Sequence, residues 1–274
     1  LAISPAKGGI IEELSLRNKN FNVLNTLKRY QEAYHAKVHL AYEEQNNDSG
    51  SIHDLVLAKE EGLDKYLNYD SHSRKMLVDH FIKKDVSLDQ LQQVDYFEDS
   101  DFIDNDFDYQ VDKRGRKIVM TREGWVNWQK LEMTKEIRVR KNYLEFYYKL
   151  KNLGAEENSF FFGPEFNFAM LGGESPDRYY FSRDKDLEGT ALISKNIEKS
   201  IKSLGVINEY DGFKLELQTD EKVDFWRFPI ETVSLSEAGF ERVYQSSVII
   251  PFYDIKLIPK SEKEITLKLK ISDV

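Results

Sequence analysis

Residues 225–251 read FWRFPIETVSLSEAGFERVYQSSVIIP and contain two segments with the pattern of β-strands. Apolar and polar positions alternate in the first segment, with Trp226, Phe228 and Ile230 set between Arg227, Pro229 and Glu231. A Ser-rich turn that contains Gly follows at 234–239, and residues 240–251 are again β-like. Alternation with a period of two is typical of a half-buried strand, and turn residues between two such segments indicate a chain reversal. The stretch therefore predicts a strand, a connection and a returning strand.

The same alternation recurs along the chain, most clearly at 143–151, 213–218 and 265–271. At 112–115 the sequence DKRG separates two further β-like segments, which is a hairpin signature. Half-buried strands joined by short turns are typical of an antiparallel sandwich, and no strand–helix–strand unit is visible. We therefore predict a mainly β protein, an antiparallel β-sandwich formed by residues 1–274 as a single domain.

The segment 52–94 is the least β-like part of the chain. Within it, Leu77–Val78 followed by Phe81–Ile82 has helical spacing. Ser87 before LDQLQQV is typical of an N-cap and a short helix. We therefore predict a short helical excursion around 52–94 that packs against its neighbours.

The composition disfavours several classes of partner and chemistry. The net charge of -9 disfavours nucleic acid and anionic membranes, since both need a basic protein surface. The chain has no Cys, so thiol chemistry and disulfides are excluded. No apolar run has membrane-spanning length and the N-terminus lacks the pattern of a signal peptide, so we expect a cytoplasmic protein. Because the first residue is not Met and leads directly into a turn and a strand, we expect a part of a longer chain.

Two patterns were weighed as metal sites. Alternate Asp residues from 104 to 108 match the opening of a calcium loop, but Tyr109 stands where the motif requires Gly. His35 and His39 are four residues apart, yet the Glu of a zinc protease motif is missing. Asp79 and His80 are sequence neighbours that would point to opposite faces of a strand. We expect no metal and no cofactor.

Aromatic side chains make up 13% of the chain, with 15 Tyr, 17 Phe and 3 Trp. Flat aromatic rings offer rigid surfaces to the apolar faces of sugar rings. The candidate platforms are Trp125, Trp128 and Trp226, and the alternative for each is a place in the core. Most Phe side chains are expected in the core of the sandwich.

Polar side chains that hydrogen-bond sugar hydroxyls share the two strands of 225–251. Because a sandwich needs one apolar face inward, we expect Trp226 in the core and the face of Arg227 and Glu231 exposed. Glu165, Glu231 and Glu241 would either line a groove or pair with arginines. Sequence alone leaves these alternatives open, since the separation of two carboxylates is a property of the fold.

Four segments carry a resemblance to a known family: 21–35, 52–81, the run GPEFNFAMLGG at 163–173, and 226–247 with WRFPIETVS and GFERVYQSS. Through them the chain resembles, over nearly its whole length, the C-terminal β-domain of α-amylases and 4-α-glucanotransferases of glycoside hydrolase family 57. The resemblance implies a supersandwich like that of galactose-mutarotase-like domains, placed beside an N-terminal catalytic barrel. The catalytic carboxylates of the family lie on that barrel, so it implies no catalytic residue in this chain.

The resemblance implies an accessory C-terminal domain of an α-glucan-active enzyme, which supports the barrel and contributes to recognition of α-glucan or maltooligosaccharide. Hydrolysis and glucan transfer stay open, since both share a covalent intermediate. The alternative is a stand-alone mutarotase-like enzyme with a His base and a Glu acid. The residues expected to bind substrate or to face the barrel are Trp226, Arg227, Glu231, Arg242, Tyr244, Gln245 and Glu165.

Overall fold

The computed structural model describes residues 1–38, 62–236 and 239–274, and antiparallel strands dominate it. The strands are β1 Ala2–Ser4, β2 Ile10–Glu13, β3 Ser15–Leu16, β4 Phe21–Asn22, β5 Met76–Ile82, β6 Asp108–Asp112, β7 Lys117–Val126, β8 Gln129–Val139, β9 Tyr143–Asn152, β10 Asn158–Phe168, β11 Arg178–Phe181, β12 Asn196–Asn208, β13 Phe213–Ser236, β14 Gly239–Leu257 and β15 Glu262–Asp273. A short α-helix spans Leu88–Gln93, and 3-10 helices span Arg17–Lys19 and Leu63–Tyr66. None of the helices in these ranges has the length and hydropathy needed to cross a membrane.

Thirteen of the described strands form one antiparallel sheet. Its order is β1-β2-β5-β10-β14-β13-β15-β9-β8-β7-β6, while β12 also pairs with β13 and carries β11, and β3 and β4 pair separately. The long strand β13 connects the two halves, since 213–219 pair with β15 and 224–236 pair with β14. The predicted strand, connection and return at 225–251 is therefore confirmed, and so is the hairpin at 112–115, between β6 and β7.

The sheet curls until its two halves face each other across an apolar core. Three strands lie between β9 and β10 in the sheet, yet the ring centroids of Phe146 and Phe166 are 5.6 Å apart. Tyr148 and Phe162 make a second such contact at 5.3 Å. Side chains that alternate along each strand supply this core from both halves, which is the packing of a sandwich. The predicted antiparallel sandwich is confirmed.

The half of the sheet made by β5, β10, β14 and β13 is also covered on its second face. A separate apolar cluster on this face contains Trp226, Phe228 and Ile250, and Leu91 of the helix packs into it. The helix begins with a capping box between Ser87 and Gln90, so the helix predicted after Ser87 is confirmed. With both faces covered, this part of the sheet is buried like a parallel sheet, and strict alternation disappears from its sequence.

This double burial explains why the helical interpretation of 77–82 was wrong. Met76–Ile82 is strand β5, and all seven of its residues are buried. Its polar members, Asp79 and His80, have charged partners inside the protein, so they do not mark a solvent face. An apolar run of this length fits a buried strand or a buried helix equally well. Residues 52–61 of the predicted excursion lie outside the described residues.

Candidate functional site

A polar pocket of about 280 Å³ lies beside β13 and β14, where Glu231 and Arg242 meet. In the register, Glu231 faces Tyr244 and Val233 faces Arg242, so Glu231 and Arg242 are diagonal neighbours. Arg242 Nη1 lies 3.4 Å from Glu231 Oε1. The Arg242 guanidinium also lies over the ring of Tyr66, 5.1 Å from its centroid. The fold thus brings two sequence-predicted residues to one pocket.

Arg29 forms part of the pocket wall and begins a buried chain of charges. Its Nη1 donates to the backbone oxygen of Glu231 at 3.2 Å, and its Nη2 lies 2.7 Å from Asp70 Oδ1. Arg74 continues the chain, with Nε 2.8 Å from Asp70 Oδ1 and Nη1 2.8 Å from Glu165 Oε2. Arg29, Asp70, Arg74 and Glu165 are all buried. Glu165, a sequence-predicted site residue, is therefore linked to the pocket through salt bridges.

The charge chain continues through His80 and ends at Glu98, so His80 lies between two carboxylates. Its Nε2 is 3.3 Å from Glu165 Oε2, and its Nδ1 is 3.0 Å from Glu98 Oε2. Both nitrogens can donate only in the imidazolium form. Burial alone would lower the pKa of His80, but hydrogen bonds to Glu165 and Glu98 outweigh it and raise the pKa to about 9. His80 is therefore charged at neutral pH.

Glu165 is held in its ionised form by the same neighbours. Burial would raise its pKa, yet the charge of Arg74, the hydrogen bond from His80 and the nearby ring of His72, whose Nε2 lies 3.9 Å from Glu165 Oε1, hold the pKa well below its usual range. Asn167 Nδ2 also donates to Glu165 Oε1 at 2.6 Å. His72 differs, because burial lowers its pKa and favours the neutral ring. Glu165 is thus a buried carboxylate whose charge is balanced and whose oxygens both have hydrogen-bond partners inside the protein.

His72, His80 and Glu165 form the group of possible metal ligands found in the described ranges, with donor atoms within 4.8 Å of one another. A cation there would require a neutral His80 and would lie beside the guanidinium of Arg74. The side chains are also closed to a substrate, with exposed fractions of 2%, 0% and 0%. The arrangement fits an internal ion network better than a metal centre or an open acid–base pair.

The prediction that the face of Arg227 is exposed was wrong. Arg227 is completely buried, with Nε 2.9 Å from Glu198 Oε1 and its guanidinium 4.7 Å from the ring centroid of Tyr180. Glu231, predicted on the same face, is 6% exposed. The reason is that the face of Arg227 is the face of the main core, where Phe225 and Tyr180 lie, while the smaller apolar cluster covers the opposite face. A strand with a protein layer on each side has no solvent face. The burial predicted for Trp226 is confirmed, but the residue lies in the smaller apolar cluster and not in the main core, and its ring packs against Phe252 at 4.8 Å.

The remaining predicted residues lie at an irregularity of the β13–β14 pair. Ile230 faces Ser246 and Glu231 faces Tyr244, so Gln245 is the extra residue of a β-bulge. Tyr244 is half-buried, its hydroxyl lies 2.8 Å from Ser247 Oγ, and burial raises its pKa. The bulge changes the side-chain register just before the pocket that Glu231 and Arg242 share.

His35, one residue of the histidine pair considered as a zinc site, has other partners, and so has Asp101 just before the Asp residues considered as a calcium loop. His35 Nδ1 lies 3.1 Å from the Tyr69 hydroxyl and its Nε2 lies 3.3 Å from the Val233 carbonyl oxygen, while His39 is outside the described residues. Asp101 in the acidic stretch accepts from Arg122 and from the backbone N–H of Trp125.

A second cavity, of about 450 Å³, is lined by Trp125 and Trp128, two of the predicted aromatic platforms, together with Phe97. Glu98, which ends the charge chain, also lines this cavity. Of the three tryptophans predicted as platforms, Trp226 is buried, whereas Trp125 and Trp128 lie on the surface. Sequence reasoning missed Phe97, because nothing in its local pattern separates an exposed Phe from a buried one.

Comparison with known proteins shows the family to which the chain belongs. Residues 1–269 match the family described as Alpha-amylase/4-alpha-glucanotransferase, C-terminal. The chain belongs to this family. As a member of the Alpha-amylase/4-alpha-glucanotransferase C-terminal family, it is also similar to named relatives over nearly its whole length. Alpha-amylase 1 of Dictyoglomus thermophilum is 34% identical over 257 residues, which are 94% of this chain and 36% of the relative.

Other relatives and solved structures agree with this membership. The 4-alpha-glucanotransferase of Thermococcus litoralis is 29% identical over 271 residues, covering 98% of this chain and 37% of the relative. The chain thus spans little more than a third of the length of the curated relatives it matches. The crystal structure of the Thermococcus litoralis protein superposes with a TM-score of 0.73 at 24% identity, over 99% of this chain and 36% of that one. A galactose mutarotase-like protein from Lactobacillus casei gives a TM-score of 0.55 at 11% identity, over 98% and 96% of the two chains, which supports the supersandwich fold.

Proposed function

We propose that the chain is the accessory C-terminal domain of an α-glucan-active enzyme of glycoside hydrolase family 57. The family match over residues 1–269 carries this proposal, together with relatives that are almost three times as long as the region they share with the chain. In this proposal a catalytic barrel belongs to the same protein, acts on α-glucan or maltooligosaccharide in the cytoplasm, and supplies the catalytic carboxylates. Both α-amylase and 4-α-glucanotransferase activities occur among the names of the relatives, so either reaction fits.

The alternative is a mutarotase-like enzyme that acts without a barrel. The fold likeness and the closeness of His72, His80 and Glu165 favour it. Against it, the two imidazoles and the carboxylate are buried, and Glu165 is already neutralised by Arg74 and His80. A general base must reach the proton that it removes from a substrate. We therefore prefer the accessory domain.

In an accessory domain, the seven residues predicted from the sequence would have three different roles. We propose that Glu231 and Arg242 face the barrel from the polar pocket, because both line this pocket and have charged and polar groups around them. Trp226, Arg227 and Glu165 would act indirectly, by keeping β10 and β13 in place. Tyr244 and Gln245 would position the bulge next to the pocket.

The test uses a hybrid enzyme. The shared region of Dictyoglomus thermophilum Alpha-amylase 1 is replaced by this chain, and maltooligosaccharide conversion and thermal inactivation are compared with the relative carrying its own region and with the truncated relative. We expect the hybrid to be more active and more heat-resistant than the truncated protein. A hybrid no better than the truncated protein would contradict the accessory role.

The chain alone tests the alternative. We expect neither conversion of maltooligosaccharides nor accelerated mutarotation of glucose or galactose, measured by product chromatography and polarimetry. Mutarotation that is lost in Glu165→Gln, with the circular dichroism of the fold retained, would favour the mutarotase-like enzyme. Arg138→Gln, a change at a side chain that is 42% exposed, is the matched control.

A further inference from the structure

Three large aromatic side chains meet on the surface at the tip of the β7–β8 hairpin. Phe97 is 73% exposed, Trp125 48% and Trp128 90%, and all three line the cavity of about 450 Å³. Large aromatic side chains usually bury most of their area, and clustered exposed ones mark interaction sites. We call Phe97, Trp125 and Trp128 the aromatic platform.

Trp128 has an unfavourable backbone conformation, and its side chain is too exposed for packing to compensate. Val126 pairs with Gln129, so Asn127 and Trp128 are the two residues of the hairpin turn. Their φ angles are 50° and 63°, the left-handed values of a turn in which Gly usually follows Asn. A bulky residue is unfavourable at such an angle. Since Trp128 is almost fully exposed, its ring contributes little to the stability of this fold, and a role in binding explains its presence.

The aromatic platform is held rigidly by the segment 97–101. The backbone N–H of Trp125 donates to Asp101 Oδ1 at 2.7 Å, and that of Asn127 donates to the Asp99 carbonyl oxygen at 3.0 Å. Asn127 Nδ2 also donates to the Ser159 carbonyl oxygen at 3.0 Å. Groups already held in place lose little conformational entropy when a ligand binds.

The polar groups around the aromatic platform identify the class of ligand. Asp99, Asp101 and Glu98 line the cavity, and none of the described residues in its lining is Lys or Arg. A cation near the aromatic platform is Lys130, whose Nζ lies 5.8 Å from the ring centroid of Trp125. Asp99 Oδ2 has no hydrogen-bond partner in the described part of the chain, and burial raises the pKa of Asp99. Carboxylates repel phosphates and other anions but accept hydrogen bonds from hydroxyl groups. Aromatic faces beside hydroxyl acceptors suit a neutral sugar, whose ring has apolar C–H faces and a polar edge.

We propose that Phe97, Trp125 and Trp128 bind α-glucan chains, with sugar rings on the aromatic faces and hydroxyl groups donating to the carboxylates that line the cavity, Asp99 and Asp101. The choice of an α-glucan among neutral sugars rests on the proposed function. The cavity volume lies within the usual range for small-ligand sites, which runs from about 300 to 1,000 Å³. The aromatic platform provides a place where this chain itself holds the polymer.

The test is native electrophoresis of the chain in gels that contain glycogen, with maltoheptaose titration followed by tryptophan fluorescence. We expect glycogen to retard the chain, and Trp128→Ala to weaken binding about tenfold, which corresponds to ~1.4 kcal/mol. Trp128→Phe should keep most of the affinity, because it keeps a flat ring. Tyr210→Ala is the matched control, since Tyr210 is 78% exposed and does not line the cavity.

Three results would overturn the proposal: no retardation by glycogen, unchanged binding in Trp128→Ala, or equal retardation by hydroxyethyl cellulose. Protection of the platform tryptophans from acrylamide quenching in the hybrid enzyme without glycogen would also overturn it, because the surface would then be a domain interface. Failure of the aromatic platform would leave the activity of the hybrid intact, whereas failure of the accessory role would abolish its advantage over the truncated relative.

Discussion

Arg74 joins two buried carboxylates, and its charge is the one on which the internal network depends most. It is 1% exposed and lies 2.8 Å from both Asp70 and Glu165. Because removal leaves buried anions short of a counter-charge, we expect Arg74→Met to destabilise the protein by about 3–5 kcal/mol in urea unfolding. Arg138→Met is the control, where a partly exposed pair with Glu145 should contribute no more than about 1 kcal/mol. If the two changes lowered the free energy of unfolding equally, the charge of Arg74 would not be needed to balance the buried carboxylates.

His80 makes the stability of the fold depend on pH on the alkaline side. Its pKa in the folded protein, about 9, lies above the ordinary value of 6.5. A raised pKa contributes stability that is complete below pH 6.5 and is lost as the pH rises through about 9. Between about pH 6 and about pH 9.5 we expect the wild type to lose roughly 1–3 kcal/mol more than His80→Gln.

The measurement is the free energy of unfolding in urea at both pH values. His72→Gln is the control, because burial lowers the pKa of His72, so this ring cannot supply a loss of stability at alkaline pH. The alkaline loss of His72→Gln should be at least as large as that of the wild type. A wild type and a His80→Gln variant with parallel pH profiles would mean that His80 is not the titrating group.

At the scale of the strand, Gly163 lets β10 lie close beneath two large side chains of β14. A Cβ atom added to Gly163 would lie 2.5 Å from Phe252 Cε1 and 2.6 Å from Ile250 Cγ2. Both neighbours are buried and well packed, so overpacking should make Gly163→Ala less stable by about 1–3 kcal/mol in thermal or urea unfolding. The double variant Gly163→Ala, Phe252→Leu should recover part of this loss. If Gly163→Ala left the free energy of unfolding unchanged, β14 would be able to move away from the added methyl group at little energetic cost.

At the scale of the whole molecule, β13 makes the two halves of the sheet depend on each other. It pairs with β12, β14 and β15, and the main core cluster takes residues from both halves. We therefore expect one cooperative urea transition, with equal midpoints by far-UV circular dichroism and by tryptophan fluorescence. Trp125 and Trp128 report on one half of the sheet and Trp226 on the other. Separate midpoints would contradict the prediction that residues 1–274 are a single domain.

The sequence alone determined the fold class, the strand pair at 225–251, the helix after Ser87 and the family. These features are local, because alternation and turn residues record which side chains share a face and where the chain reverses. The tertiary structure decided what covers each face. Alternation shows that Trp226 and Arg227 lie on opposite faces, but only the folded chain shows that both faces are covered. The smaller apolar cluster buries Trp226, and Glu198 and Tyr180 cover Arg227.

The charge network could not be read from the sequence for the same physical reason. Arg74 and Glu165 are 91 residues apart, and neither residue has a local pattern that marks a buried ion. The sequence named Glu165, Glu231 and Arg242 as candidates through residue type and resemblance. Their partners came from strand register and from Arg29, which reaches β13 across 202 positions of sequence. Chemistry that depends on the distance between remote side chains is determined by packing, and packing is a property of the folded chain.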